Sequence, residues 1–553
     1  METTMETQQQ AETLLQPWRE RMQAPEQNRI YVSIRPDELL DAVRALHDAR
    51  WGYLSTISGI DPSGEDGEME ALYHFCSGPT VVTLRVALSR EHPATPSVCA
   101  IIPSASIQER ELIEMFGIDV VNTPDRSLLY LPDDWPEEIY PLRRDFDAAE
   151  LVKREPRVTK PAEAEGETFV VPIGPQHPAL KEPAHFEFTL DGEIVTGASV
   201  RLGYAHRGIE RATQNMNWTQ NLYLLERVCG ICSHIHAQAY CLGVEHLAGV
   251  EVPARARVIR EIVAGLERIH SHLLWFGVAA HEAGFDTLFM YSWRDRETVM
   301  DLLEEISGNR VNYSINVLGG VKYDITPELT EKVYKGIEFL DERVRHYLNV
   351  STKDTMFLQR TRGIGVMTKE QAEELGALGP TARASGVLRD IRVDAPYGAY
   401  LDFPIEPVVA TAGDLETRFI IRLEEIRATI VMIREMLENL PEGELTTRMP
   451  RRVKAGETIS RVEAPRGELF YYIRSAGGET PERIKIRTPT ILNLGTVIVS
   501  AVGHQFADMP MILAGVDPCF SCNDRAVAVR SADGDSQKWS WERLRQYGIE
   551  RYR

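Results

Sequence analysis

The sequence predicts an α+β, multidomain chain: a small α/β N-terminal domain, then a mainly α-helical domain with a central helix bundle and peripheral β structure. Three observations predict it. The chain has 553 residues, too many for one compact core. Strand and helix patterns alternate early in the chain, and two long stripes of apolar residues at steps of three and four follow later. Between them lies a charged, Pro-containing stretch at 150–167, "ELVKREPRVTKPAEAEGE", poor in large apolar residues and read as a linker.

The elements follow in order. Residues 1–27 form a polar N-terminal segment, and 28–149 form the first domain. There "RIYVSIRPDELLDAVRALHDA" reads as a strand and then an amphipathic helix, with Leu39, Leu40, Val43 and Leu46 at helical spacing. "TVVTLRVAL" alternates as a strand does, and "SASIQERELIEMFGI" predicts a second helix. The second domain spans 168–525 and opens with strands and turns in "TFVVPIGPQHP" and "HFEFTLDGEIVTGASVRLGY". From about 215 the pattern is helical. Ile259, Ile262, Leu266, Ile269, Leu273 and Phe276 mark one stripe. Leu415, Phe419, Leu423, Ile426, Ile430, Ile433, Leu437 and Leu440 mark another, with Asp414 at its N-terminus and "NLPEG" closing it. Such stripes are core, and two of them predict a helix bundle. Residues 526–553 form a C-terminal extension.

Bulk properties exclude several classes. A net charge of −21 speaks against a nucleic-acid surface, which needs a basic stripe. No run of about 18 apolar residues is present, so no membrane span is predicted. The polar, acidic start is unlike a secretory signal, and a chain kept inside the cell is expected. Seven cysteines, an odd number in a long chain, argue against a disulfide framework and for metal or redox chemistry.

Four of the seven stand in two C-x-x-C pairs. "RVCGICSHIH" (227–236) holds Cys229 and Cys232, and "DPCFSCNDR" (517–525) holds Cys519 and Cys522. Four soft thiolates suit zinc or iron–sulfur. A zinc ribbon, however, sets its pairs about 15–20 residues apart. Here nearly the whole second domain separates them, so the fold itself must close the site. A structural zinc and two independent redox or structural pairs both stay open on spacing alone.

The two segments resemble the cysteine signatures of nickel–iron hydrogenase large subunits. The form R-x-C-G-x-C-x-x-x-H is met by Arg227, Cys229, Gly230, Cys232 and His236, and D-P-C-x-x-C-x-x-H/R by Asp517, Pro518, Cys519, Cys522 and Arg525. "GPQHPALKEPAHF" (174–186) resembles the membrane-linked, complex I-related branch, group 4, and "LGYAHRGIE" (202–210) is similar to a stretch of the quinone-site subunit of complex I. "ERELIEMFGI" (109–118) and "LPDDWPEEIYPLRRDF" (131–146) resemble the small hydrophilic complex I subunit beside it. A fusion of the two modules that keeps all four cysteines looks like the formate hydrogenlyase type.

The resemblance implies a site. Cys229 and Cys519 become terminal nickel ligands, and Cys232 and Cys522 bridge nickel to an iron that carries CO and cyanide. Cys519 is the first proton acceptor and Glu182 the next carrier; the alternative is that Glu182 is an ordinary loop glutamate. In "EAPRGELFYY" (463–472) Arg466 covers the metals and anchors the cyanides, and Asp517 holds Arg466. In "RTPTILNL" (487–494) Thr490 offers a hydroxyl to a cyanide, with Pro489 beside it. His236 is expected to support a cysteine sulfur rather than bind metal, and His234 to be a nearby polar residue. Cys76, Cys99 and Cys241 follow no motif and read as buried small hydrophobes. "RGIGVM" (362–367) lacks the full glycine pattern and strand–helix frame of a nucleotide loop.

Expected partners follow from the same resemblance. With no ferredoxin-like cysteine run, iron–sulfur clusters belong only to partners: an iron–sulfur small subunit and ferredoxin-like electron-transfer and membrane subunits. Formate dehydrogenase or another electron donor feeds the complex, and no nucleic acid is involved. The location expected is the cytoplasmic face of the inner membrane, peripheral. A maturation protease would remove Ala526 onward; the alternative is a C-terminal helix that stays. Two rivals remain: a metal-free fused pair of complex I quinone-oxidoreductase subunits, and a structural zinc scaffold.

Overall fold

The computed structural model describes residues 2–62, 68–132, 135–147 and 169–523. The linker at 150–167 and the extension after Arg525 lie outside them.

The N-terminal unit is a five-stranded sheet ordered Met22–Glu26, Arg29–Ile34, Thr80–Leu88, Met69–Ser77, Tyr53–Ile60. Only the Arg29–Ile34/Thr80–Leu88 pair is parallel, so a crossover must join that half of the sheet. The Leu39–Asp48 helix lies on this connection, burying Leu39, Val43 and Leu46 as its spacing predicts. The Ser106–Phe116 helix packs so close to the far edge strand that a Cβ on Gly59 would meet the Phe116 ring at 2.4 Å.

The polar N-terminal segment joins this unit. A helix, Glu2–Leu14, and a 3-10 turn, Gln16–Arg21, lead into the edge strand Met22–Glu26. Its anchors are three buried residues, Ala11, Leu15 and Trp18, too few to give a readable period.

The second unit opens with an antiparallel sheet of Phe169–Ile173, His185–Asp191 and Ile194–Arg201. Four long helices follow: Ala254–Glu282, Asp286–Ser307, Pro327–Lys353 and Leu415–Glu438. The Asp414 side chain caps the last of these by accepting from the Thr417 amide at 2.9 Å. The Ala254–Glu282 helix lies at the centre and buries charged residues as well as its apolar stripe. Those charges are paired: Arg260 with Glu245 (2.7 Å), and Arg268 and His272 with Glu425 (3.7 and 2.9 Å). A three-stranded sheet of Ala455–Ala464, Gly467–Ala476 and Arg483–Arg487 then leads into two short helices, Pro489–Ala501 and Met509–Val516.

The two units share one apolar cluster that reaches from Ala11 to Phe520. Glu468 is the polar centre of this junction. It accepts from the Tyr53 hydroxyl (2.7 Å), from Ser55 (3.3 Å), from Arg461 (2.7 Å) and from Arg487. Burial opposes its ionisation, but Arg461 and Arg487 outweigh that and hold the carboxyl at about 2. Among the described residues no helix is long and apolar enough to cross a membrane.

Candidate metal centre

Four elements carry the site. Cys229 follows the Trp218–Glu226 helix, and Cys232 is the residue just before the Ser233–Ala248 helix. The Glu267 carboxylate fixes that start by accepting from the amides of His234 (2.7 Å) and Ile235 (3.1 Å). At the other end of the chain the Met509–Val516 helix ends on Asp517, whose left-handed φ of 57° turns the chain sharply. Cys519 follows, and Cys522 lies in the short Phe520–Asn523 helix. The Cys519 amide donates to Thr490 Oγ1 at 3.1 Å, which ties this turn to the Pro489–Ala501 helix.

The four sulfurs meet in the interior, all within 4.8 Å of one another and all buried. Cys229 faces Cys519 at 3.4 Å, Cys232 faces Cys522 at 3.6 Å, and Cys519 and Cys522 lie 2.9 Å apart. No disulfide joins them. The Ile231 and Cys232 amides donate to the Cys229 sulfur at 3.3 and 3.4 Å, and these bonds favour a thiolate. Hydrogen bonds from Cys232, Cys519 and Cys522 also hold the Cys229 thiol well below its usual range. Four sulfurs so close, buried and unbonded, form a donor set fitted to a soft metal.

A small cavity of about 10 Å³ opens on one side of this cluster. It touches Cys232, Cys519 and Cys522 and is walled by Ala464, Pro465, Leu469 and Pro489, with Arg466, Thr488, Thr490 and His236 as its polar members. Arg466 is held from behind: Nε donates to the Asp517 carbonyl (2.9 Å), Nη2 to Asp517 Oδ1 (2.9 Å) and Nη1 to Ser271 (3.2 Å). Lys181 Nζ reaches the same Oδ1 at 2.6 Å. Burial opposes ionisation of Asp517, yet Arg466, Lys181 and Arg422 together keep its carboxyl below the usual range. Asp517 thus holds Arg466 as the sequence suggests.

Glu182 lies beside the second cysteine pair. It accepts from the Ser521 amide at 2.7 Å and from the Ser521 hydroxyl. Burial first, and the nearby Cys519 sulfur second, push its carboxyl up to about 7. His236 Nδ1 lies 2.8 Å from the Tyr471 hydroxyl, and its ring borders the cavity. His234 points elsewhere, with Nε2 on the Arg260 carbonyl at 2.9 Å. Cys76, Cys99 and Cys241 are buried and distant from the cluster in role; Cys99 donates to Glu109 at 3.2 Å.

Sequence reasoning passes over Lys181, Ser271 and Ser521. Lys181 and Ser521 had a signal available, since one adjoins Glu182 and the other stands inside the second C-x-x-C. Ser271 had none, lying mid-helix among apolar repeats.

Residues 282–455 and 447–525 match the family described as respiratory-chain NADH dehydrogenase, 49 Kd subunit; 32–152 match its 30 Kd subunit, and 207–304 match nickel-dependent hydrogenase. Formate hydrogenlyase subunit 5 of Escherichia coli is 35% identical, covering 95% of this chain and 94% of that protein. The C/D subunit of NADH-quinone oxidoreductase from Phocaeicola vulgatus is 34% identical over 84% of this chain and 93% of its own. A chain of the membrane-bound sulfane sulfur reductase, an archaeal respiratory membrane complex, superposes with a TM-score of 0.62 and 31% identity, over 65% of this chain and 99% of that one.

Proposed function

The chain belongs to the family of large subunits of complex I-related, membrane-bound hydrogenases of the formate hydrogenlyase type, and from that membership we propose that it is a catalytic subunit interconverting H2 with protons and electrons. The observation that carries the proposal is the convergence of Cys229, Cys232, Cys519 and Cys522 beside a walled cavity. When bound, a nickel–iron centre supplies a soft, redox-active metal pair that splits or forms H2 heterolytically.

The chain's own residues divide the work. Cys229 and Cys519 would hold nickel alone, while Cys232 and Cys522 would hold both metals. The cavity borders Cys232, Cys519 and Cys522 but not Cys229. Arg466 borders that space with a positive guanidinium, oriented by the three N–H bonds it gives to Asp517 and Ser271. Thr490 already accepts from the Cys519 amide, so its own proton is available to a cyanide nitrogen. Pro489, Pro465, Ala464 and Leu469 exclude water. The Cys519 sulfur takes the proton, and Glu182, one Ser521 away, relays it outward.

Electrons leave through an iron–sulfur partner subunit, and this chain sits peripherally at the cytoplasmic face of the membrane, held there by its partners. Formate dehydrogenase or another donor supplies the reducing power, and a maturation protease trims the chain after Arg525. Elemental analysis of the purified protein tests the reading, with nickel plus iron as the expected result. Infrared bands of metal-bound CO and cyanide would complete it. Zinc alone would turn the site into a scaffold. No metal would favour a fused quinone-oxidoreductase protein, the reading suggested by the likeness to the C/D relative, although that job requires no thiolates.

A further inference from the structure

Three small cavities lie end to end between the cysteine cluster and the surface, along the junction with the N-terminal domain. The first is the 10 Å³ space at the cluster. The second, about 10 Å³ and so of a size for a single water, shares Cys522 and Thr488 with it and is otherwise walled by Gln108, Glu111, Tyr130, Lys485 and Asn523, among others. The third, about 30 Å³, shares Glu111 and Tyr130 with the second and ends at the half-buried His206, Gly208 and Arg211.

The second cavity carries the marks of a wet one. Gln108 Oε1 accepts from the Ile57 amide at 2.5 Å, and Asn523 Oδ1 accepts from the Thr488 hydroxyl. Those bonds fix both amide groups and leave their NH2 ends, Gln108 Nε2 and Asn523 Nδ2, buried with no partner among the described residues. Orphaned buried donors in a polar space are what an internal water satisfies. Beyond them Lys485 Nζ bonds the Glu111 carboxylate and lies 3.9 Å from Glu210, which Arg483 holds at 2.7 Å. The amides, hydroxyl, ammonium and carboxylate of the second cavity suit a proton, and Glu111, Glu210 and His206 continue the row into the outer one beside Met115, Pro141 and Leu142.

We propose that this row is a second proton route, running from the Cys522 side of the metal centre through Asn523, Gln108 and the Lys485–Glu111 pair to the surface at His206. It rests on the hydrogenase reading and differs from the Glu182 relay, which serves the Cys519 side. Each inward transit moves one proton. A hydronium in the outer cavity gives a proton to Glu111 and becomes water, Lys485 releases one N–H proton to a water of the second cavity, and the proton on Glu111 then passes to the Lys485 nitrogen, restoring the ammonium and the carboxylate. Only O–H and N–H bonds change, and nothing is oxidised or reduced. Glu111 and Gln108 come from the N-terminal domain, which gives that domain a part in turnover.

The test uses the purified complex. Nickel and iron content and the CO and cyanide infrared bands are recorded first; their absence refutes the hydrogenase reading itself. High-resolution cryo-electron microscopy of the same sample should place water within hydrogen-bond distance of Gln108 Nε2 and Asn523 Nδ2, and a dry second cavity overturns the route whatever the metal content. With the bands present, Glu111→Gln should slow H2/D2O exchange by about tenfold or more, and Glu111→Asp should regain most of it. Unchanged exchange in Glu111→Gln overturns the route. So does Glu111→Asp as slow as Glu111→Gln, because that pattern belongs to packing and not to proton transfer.

Discussion

Asp517→Asn removes one negative charge from a pocket that holds three positive ones. Asp517 Oδ1 accepts from Lys181 at 2.6 Å and from Arg466 at 2.9 Å, and Arg422 adds to the field. An Asn oxygen keeps an acceptor in place but offers no charge. Two charge-assisted hydrogen bonds at about 1.5–3 kcal/mol each give a loss of roughly 3–6 kcal/mol. Breaking a buried pair typically costs about 3–5 kcal/mol, and the two figures agree. Chemical denaturation near neutral pH should therefore show Asp517→Asn less stable by about 3–5 kcal/mol. The sign with pH follows from a carboxyl held below its usual range. Its contribution is present above the ordinary value of 3.8 and is lost as pH falls below it, so the gap between the two proteins stays flat above about pH 5 and narrows only in acid. Lys181→Met in the same background should restore at least about 1 kcal/mol, because it removes a cation left without a partner. A gap under about 0.5 kcal/mol, or strict additivity of the two changes, refutes the pocket's electrostatic account.

Four further outcomes are expected. Glu182→Gln should slow proton exchange by about tenfold or more with nickel and iron intact, and loss of metal would make Glu182 a structural residue. Glu468→Gln should cost about 3 kcal/mol at neutral pH, since the carboxyl sits at about 2 instead of 4.5. That contribution is complete above pH 4.5 and disappears as pH falls toward 2, so a wild-type advantage that persists undiminished at pH 3 would contradict it. Asp414→Ala should lower thermal stability by about 1 kcal/mol through loss of the cap on the Leu415–Glu438 helix, read by calorimetry. Mass spectrometry of nickel-loaded protein should find a chain ending at Arg525, and a retained tail defeats the trimming proposal.

Much of this was legible because the signals were local. The Leu415–Glu438 helix announced itself by its stripe and its capping Asp414. The cysteine pairs announced themselves by spacing and flanking residues. The N-terminal segment did not, since only Ala11, Leu15 and Trp18 anchor it. The Ala254–Glu282 helix showed its stripe but hid its second nature. Arg260, Glu261, Glu267, Arg268, His270 and His272 look like a solvated face in sequence and are buried. Their partners, Glu245 and Glu425 among them, are set by tertiary packing, which no period encodes. Ser271 behind Arg466 escaped for the same reason.

The facing sulfurs, Cys229 with Cys519 and Cys232 with Cys522, stand 290 residues apart in each case. That separation is also an interval of time. At a synthesis rate of about 5–20 residues per second, the second pair leaves the ribosome roughly 15–60 seconds after the first. Throughout that interval the nascent chain carries a two-thiol chelate, the kind of half-site that captures whichever soft ion arrives first. The second pair and the C-terminal turn at Asp517 are the last part of the site to be made, so the four-thiol set exists only once nearly the whole chain does.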